Sequence, residues 1–313
     1  MQYPKKIQIG FQEGTCPLRC KKCHGFGEYA KEIKKPQKMS LENAKRLIDE
    51  IAQMEAVPTI QPHIVTEPFA NKDLKEIILY CRNKEIPLSI ITNGILLDQE
   101  WMDFLIQNLN RNSTVSFSLD AVTQETYEKV RGAYSLMELE EKVDYLMNER
   151  KGRGPRVSVN YVYERDNYEE TEVFLNKWKY KVDAVHIGVA LDAQRKVPDE
   201  YRKGTVIKEN TVCPFLQEVM AIDAGGEVRA CAVDGFGNTC LGNALEEGIM
   251  QVWNSKKRQA FLQKHKQNIL SKDDFCYGCE WGHSLYNFDR TEETEEFIIK
   301  IADYAVYYNR KLS

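Results

Sequence analysis

Residues 6–23 read Lys-Ile-Gln-Ile-Gly-Phe-Gln-Glu-Gly-Thr-Cys-Pro-Leu-Arg-Cys-Lys-Lys-Cys. A short apolar run, Ile7-Gln8-Ile9-Gly10-Phe11, leads directly into three cysteines spaced Cys16-x-x-x-Cys20-x-x-Cys23. Thiolates are the soft ligands of iron-sulfur clusters, so three of them from one tight loop can hold three irons of a cubane cluster and leave the fourth open for chemistry. Two other readings stand beside this one, a zinc site completed by His24 and a redox loop, although structural zinc loops usually pair their ligands as CxxC and finish with a second pair nearby. Disulfides are disfavoured. The N-terminus MQYPKKIQIGF has no charged-then-apolar signal segment and no stretch approaches the length of a membrane span, which points to a cytoplasmic chain with reduced thiols and no membrane partner.

The 313 residues are 42% hydrophobic, with 18 glycines and 10 prolines, which excludes a disordered or fibrous chain and allows one large domain with a smaller one appended. A formal charge of −4 gives no global attraction to nucleic acid. The lysine-rich stretches 31–38 and 256–266 read as solvated helix faces. No solenoid repeat, low-complexity tract or heptad array is present.

From residue 6 to about 192, short β-branched runs alternate with longer amphipathic ones, which predicts a parallel sheet. The strands are expected at 6–12, 59–65, 87–92, 114–119, 156–163 and 184–191. Helices are expected between them, the first capped by Ser40 with Leu41, Ala44, Leu47, Ile48 and Ile51 on one face, and further ones over 72–84, 98–109, 135–149 and 168–179. Six right-handed β/α units curl into a partial (β/α)6 barrel, short of the eight that close one, and its open side would admit substrate. In such barrels the loops at the C-terminal strand ends build the active site. The cysteine loop, Thr66-Glu67-Pro68, Thr92-Asn93-Gly94 and Ser118-Leu119-Asp120 all fall at those ends. Taken singly, Asn93-Gly94 is a turn signal, Glu67-Pro68 a helix entry and Asp120 with Thr123 a helix cap.

With these motifs on one rim, residues 6 to about 192 resemble the radical S-adenosylmethionine (SAM) superfamily, whose hallmark is the CxxxCxxC loop on a partial β/α barrel. The family's Gly-Gly-Glu-Pro segment corresponds to Val65-Thr66-Glu67-Pro68, and Ser116 to Gly132 resembles a signature of the branch with auxiliary clusters. The glycine pair is replaced by Val65-Thr66, and Lys22 stands where an aromatic residue commonly precedes the third cysteine. The resemblance implies that Cys16, Cys20 and Cys23 hold a 4Fe-4S cluster whose open iron chelates SAM, with Thr66 and Glu67 near the amino group of SAM, Ser118 near its ribose and Arg131 near its carboxylate. For Arg131 a surface salt bridge is the competing role.

Four later cysteines follow the form C-x12-G-x4-C then CxxC: Cys213, Gly226, Cys231, Cys276 and Cys279. The segment 219–229 reads as a hairpin turning at Asp223-Ala224-Gly225-Gly226, and 249–266 as a helix. By spacing alone the four thiols suit either a zinc or a second cluster. The stretch Gly226 to Cys231, then Leu241-Gly242-Asn243 and Val252-Trp253-Asn254-Ser255, resembles SPASM/Twitch extensions, and with no cysteine after Cys279 the resemblance implies a Twitch-type domain with one fully ligated auxiliary 4Fe-4S cluster. The expected organisation is a barrel at 1–192, a linker at 193–212, the auxiliary domain at 213–285 and a C-terminal helix at 286–313, its amphipathic run at 292–312. Cys81 reads as a buried small hydrophobe. Cys240 reads either as packing or as a hydrogen-atom donor of the kind radical epimerases use.

The layout resembles the aminocyclitol dehydrogenases of the superfamily, which implies oxidation of a hydroxylated small molecule, with Glu164, Arg165, His186 and Asp192 as candidate bases near strand ends. A radical epimerase using Cys240 and a peptide-modifying maturase are the alternatives. The short N-terminus before the first strand lowers the peptide expectation. A flavodoxin or ferredoxin-type electron donor is implied.

Overall fold

The computed structural model describes residues 3–27, 30, 34–192, 194–202, 212–282 and 288–311. Parts of the expected 31–38 lysine run, the 193–212 linker and the tail ends of the last two expected units lie outside the described residues. The chain opens with β1 (Lys6–Ile9), and its apolar members Ile7 and Ile9 are fully buried. A two-residue ladder between β2 (Gln12–Glu13) and β3 (Gln37–Lys38) then closes the base of a loop carrying all three early cysteines. Helix α1 (Leu41–Ala52) starts at Ser40, whose side chain accepts from Asn43 N, and buries Ala44, Leu47, Ile48 and Ile51, the face its spacing predicts.

Parallel strands follow: β4 (Thr59–Gln61), β5 (Ser89–Thr92), β6 (Thr114–Ser118), β7 (Arg156–Tyr163) and β8 (Ala184–Val189). Between β4 and β5 the sheet is continued by one parallel bridge, Ile60 to Leu88. Outside lie α2 (Leu74–Asn83), α3 (Gln99–Asn108), α4 (Gln124–Val130), α5 (Leu136–Glu149) and α6 (Thr171–Trp178). The result is the α/β partial barrel of six β/α units.

Both edges of this sheet are extended by the C-terminal third of the chain. After α7 (Pro214–Glu218), β9 (Val219–Ile222) pairs parallel with β1, and β10 (Val228–Arg229) returns antiparallel to β9, so the expected hairpin belongs to the barrel sheet. The expected helix over 249–266 is two, α9 (Ile249–Trp253) and α10 (Lys256–Lys266), after a one-turn α8 (Ala244–Glu247). Ser255 breaks the run because its side chain caps α10 by accepting from Arg258 N.

The expected C-terminal helix is corrected outright. Residues 290–310 form an antiparallel meander of β11 (Arg290–Glu293), β12 (Phe297–Ala302) and β13 (Ala305–Arg310), and β13 pairs antiparallel with β8, setting Tyr307 opposite His186. Ile298, Ile299, Ile301 and Val306 are β-branched and Tyr307–Tyr308 aromatic, which suits a pleated surface, and the meander satisfies the backbone groups that β8 would otherwise leave bare. One apolar core runs from Ile7 through Ile222 and Trp253 to Leu262, so barrel and cysteine-rich segment share it. A smaller cluster of Val189, Leu191, Val197, Tyr201, Ala302 and Tyr304 seals the meander to the end of β8.

Candidate functional site

The loop that follows β1 and β2 folds tightly around its cysteines. Cys23 N donates to Cys20 O at 2.9 Å and Gly27 N to Cys23 O at 2.9 Å. A Cβ at Gly27 would run into the carbonyls of Cys20 and Lys21, so only glycine lets the chain pass this close. Burial pushes the Cys16 thiol up to about 11, assisted by the charge of Glu67 and of the other two thiols, and it raises Cys23 against backbone donors from Gly25 and Phe26. Such thiols deprotonate on binding a metal. Asn93 Nδ2 donates to Cys16 Sγ at 3.6 Å, an interaction that the turn signal Asn93-Gly94 did not announce.

Thr66 and Glu67 brace this loop. Thr66 Oγ1 donates to Thr15 O at 2.6 Å, Glu67 N donates to the same carbonyl at 2.8 Å, and Gly14 N donates to Val65 O at 2.9 Å. The Glu67 carboxylate is 2% exposed and accepts from Thr92 Oγ1 at 2.5 Å and from Asn93 N at 2.8 Å. Burial pushes it up to about 7, and those donors pull the other way. Its carboxylate therefore ties the second rim loop to the third. Val65 occupies the space between Gly25 in the cysteine loop and Gly235 beyond Cys231, at each of which a Cβ would collide with its methyl groups.

At the next strand ends sits a buried charge cluster. Lys22 Nζ lies 2.9 Å from Asp120 Oδ2 and 3.4 Å from Glu164 Oε1, and Arg131 Nη1 lies 2.8 Å from Asp120 Oδ2. Arg131 is thus a salt-bridge partner of Asp120, largely shielded rather than on the open surface, and it lies within electrostatic reach of Cys20. Burial alone would raise Asp120, but Lys22 and Arg131 hold it below the usual carboxylate range. Ser118 ends β6 opposite Asn160, at the same rim. Of the other candidate bases, Glu164 is tied to Lys22, Asp192 Oδ1 accepts from Gln194 N and Lys196 N, and His186 faces Asn160 Oδ1 at 3.1 Å and the Tyr307 ring at 4.3 Å.

Cys213, Cys231, Cys276 and Cys279 come together from the start of α7, the end of β10 and the turn after α10. Cys276 feels the charge of all three others. Burial pushes Cys213 up to about 11 and Cys231 up to about 12. No three His, Cys, Asp or Glu side chains among the described residues form a site for a single metal ion. The available donors are soft, half-buried thiols without disulfide bonds, the chemistry that iron-sulfur clusters take. Cys240 is exposed, its Sγ 3.8 Å from Glu227 Oε1, and Cys81 is buried in α2. A cavity of about 510 Å³ between Tyr163, Leu175 and Tyr308 lies outside the barrel and touches none of the cysteines.

Comparison with known proteins agrees with this arrangement. The radical SAM superfamily model matches residues 14–177, and that of an iron-sulfur cluster-binding domain, SPASM, matches residues 213–280. The chain is 36% identical over 131 residues to Fe-coproporphyrin III synthase of Methanosarcina barkeri, covering 41% of this chain and 30% of that protein. It is 29% identical over 155 residues to PqqA peptide cyclase of Granulibacter bethesdensis, covering 49% of this chain and 38% of that one. The matches thus span about a third of the length of these curated relatives. Among solved structures, BtrN in complex with AdoMet and 2-DOIA superposes with a TM-score of 0.60 at 16% identity, over 89% of this chain and 93% of that one, a likeness of fold.

Proposed function

This chain belongs to the radical SAM superfamily and carries a SPASM iron-sulfur domain, and on that premise we propose that it oxidises a hydroxylated small molecule, of sugar or aminocyclitol type, by removing hydrogen from one of its C–H bonds. The observation that carries this reading is the inner face of the barrel. Filled barrels pack layers of bulky branched residues there. Here Gln8, Gln61, Ser116, Ser158, Asn160 and His186 take inward positions, and Ser116 and Ser158 hydrogen-bond to each other across two strands. A polar lumen below the cysteine loop suits a polar substrate.

Cys16, Cys20 and Cys23 would hold a 4Fe-4S cluster with one iron left for SAM, and Cys213, Cys231, Cys276 and Cys279 a fully ligated auxiliary one. When bound, the first cluster and SAM supply a 5′-deoxyadenosyl radical that takes hydrogen from the substrate, and the auxiliary cluster offers a path for the second electron. The protein's own part is positioning. Asn93 Nδ2 stabilises the Cys16 thiolate, Glu67 fixes the loop that presents Thr66, Arg131 and Lys22 supply positive charge at the rim, and Ser118 offers a hydroxyl there. A flavodoxin or ferredoxin-type protein would deliver the electron, which suits a cytoplasmic setting.

A peptide substrate is the second reading, favoured by the likeness to a peptide cyclase. An epimerase using the exposed Cys240 is the third. Anaerobic reconstitution tests the shared premise: about eight irons with matching sulfide and dithionite-driven 5′-deoxyadenosine are expected, and about four irons or tightly held zinc would overturn it. With a deuterated substrate, transfer of deuterium to 5′-deoxyadenosine with a ketone product supports oxidation. Solvent deuterium at the reacting carbon supports epimerisation instead.

A further inference from the structure

Arg195 lies against the turn that carries Cys276 and Cys279. Its guanidinium stands 3.8 Å over the ring of Phe275, the residue before Cys276, and its Nη2 donates to the Phe275 carbonyl. Its own carbonyl accepts from Glu280 N at 3.0 Å, just past Cys279. One arginine thus spans the CxxC turn from the residue before it to the residue after it. It reaches there from a tight loop after β8, in which Arg195 N donates to Asp192 O and Asp192 N to Lys196 O, both at 2.9 Å.

Two features exceed what a clasp needs. Arg195 takes a left-handed backbone conformation, φ 63°, where glycine or asparagine would sit at less cost. Backbone held this way points to a side chain that is wanted where it is. The guanidinium also has no carboxylate partner among the described residues, and its Nε is buried without a hydrogen-bond partner. The acids on either side of it are committed elsewhere. Glu280 accepts from Val197 N and Arg202 Nη2, and Asp192 Oδ1 from Gln194 N and Lys196 N. An unanswered positive charge with a spare donor therefore sits beside two of the four thiols. Burial raises Cys276 and Cys279, and the charge of Arg195 pulls each back. A thiolate-ligated cluster is anionic and gains a further negative charge on reduction, so its potential answers to charge and hydrogen bonds around it.

We propose that Arg195 sets the reduction potential of the auxiliary cluster, its uncommitted charge favouring the reduced form and so making the cluster a better electron acceptor. The proposal rests on the reading of Cys213, Cys231, Cys276 and Cys279 as ligands of an electron-accepting cluster, and it deepens that reading. In the oxidation the substrate radical gives one electron to this cluster and its hydroxyl proton to solvent, which leaves the ketone. Arg195 is a positioning residue there and touches no reacting atom.

The test reads a potential, independently of turnover. EPR-monitored redox titration of the reconstituted holoenzyme gives a midpoint for each cluster, and the signal that added SAM perturbs identifies the one at Cys16, Cys20 and Cys23. Arg195→Gln should shift the auxiliary couple at least tenfold toward the oxidised form, a fall of about 59 mV for one electron, and the other couple by less. Arg195→Lys keeps the charge and should restore most of the shift. An unchanged auxiliary midpoint in Arg195→Gln at full iron content overturns the proposal, and so does an equal fall in Arg195→Lys, which would make the role structural. Should Arg195→Gln not retain the auxiliary iron, Arg195→His carries the comparison. Its auxiliary midpoint should fall more steeply than that of the wild-type protein as pH rises through about 6.5, where an imidazole loses its charge; a parallel pH response sinks the idea. Failure of the two-cluster reading shows separately, as about four irons per wild-type chain.

Discussion

Arg131 and Asp120 form a buried ion pair, Nη1 to Oδ2 at 2.8 Å, and Asp120 holds that pair from a left-handed backbone conformation with φ at 60°. Its second oxygen accepts from Val162 N at 2.6 Å, so one carboxylate joins the ends of β6 and β7 to α4. Asparagine tolerates the left-handed region, which makes Asp120→Asn a test of the charge rather than of the backbone. Removing it leaves Arg131 without its carboxylate, while Lys22 keeps Glu164. Breaking one partner of a buried pair costs about 3–5 kcal/mol, to be read as a lower denaturant midpoint at unchanged slope.

Val65 and the two glycines facing it give a second prediction. The family segment has glycine where this chain has valine, and the space for the extra methyl groups is found at Gly25 and Gly235. Gly25→Ala should therefore overpack the contact and destabilise by about 1–3 kcal/mol. Val65→Ala in the same chain should remove most of that cost. A thermal or chemical double-mutant cycle should return a coupling of about 0.5–3 kcal/mol. Additive effects would mean that the loop moves aside instead.

Acid sensitivity follows from His63. Its Nε2 accepts from Ile91 N at 3.0 Å, a bond only the neutral ring can make, and burial, followed by the charge of Lys6, pushes it down to about 3. The unfolded chain titrates near 6.5, so between those values it binds the extra proton. Stability is then full above about pH 6.5 and falls as pH drops, by about 1.4 kcal/mol per pH unit. His186, pushed down to about 4 by burial first, adds a term of the same sign. His63→Gln should remove its share of the acid slope in pH-dependent urea unfolding while leaving stability at pH 8 less affected.

The strands show which features were legible in the sequence. The span 156–163 is the observed β7 because eight residues of β-branched and aromatic character leave little ambiguity. The span 59–65 shrinks to Thr59–Gln61, since His63 turns inward to meet Ile91 and Val65 is drawn toward the cysteine loop, contacts that form only in three dimensions. The run 292–312 reads as a helix because Phe297, Ile298, Ile301, Tyr304, Ala305 and Tyr308 satisfy a helical period, yet it forms strands at Phe297–Ala302 and Ala305–Arg310. The β-branched pair Ile298-Ile299 and the Tyr307-Tyr308 pair were the signal against it. At the site, the cysteine spacings stood out on their own. The roles of Asn93 and Lys22 did not, because a side-chain contact to a thiol or a carboxylate dozens of residues away leaves no local pattern.

The turn carrying Cys276 and Cys279 is clasped to the loop after β8, and this clasp yields the last prediction. Glu280 is 5% exposed, accepts from Val197 N at 2.7 Å and from Arg202 Nη2 at 2.6 Å, and donates its own N–H to Arg195 O at 3.0 Å. The Arg195 guanidinium in turn lies 3.8 Å over the Phe275 ring. Glu280→Gln keeps the shape but weakens the charge-assisted bond to Arg202, worth about 1.5–3 kcal/mol. If Cys213, Cys231, Cys276 and Cys279 hold their own cluster, loosening this clasp should lower iron retention there first and leave the iron at Cys16, Cys20 and Cys23 in place. After gel filtration with a mild chelator, the variant should keep roughly half the iron of the wild-type protein and still yield 5′-deoxyadenosine from SAM. Equal loss from both sites, with cleavage gone, would show that Glu280 supports the whole fold rather than the auxiliary site.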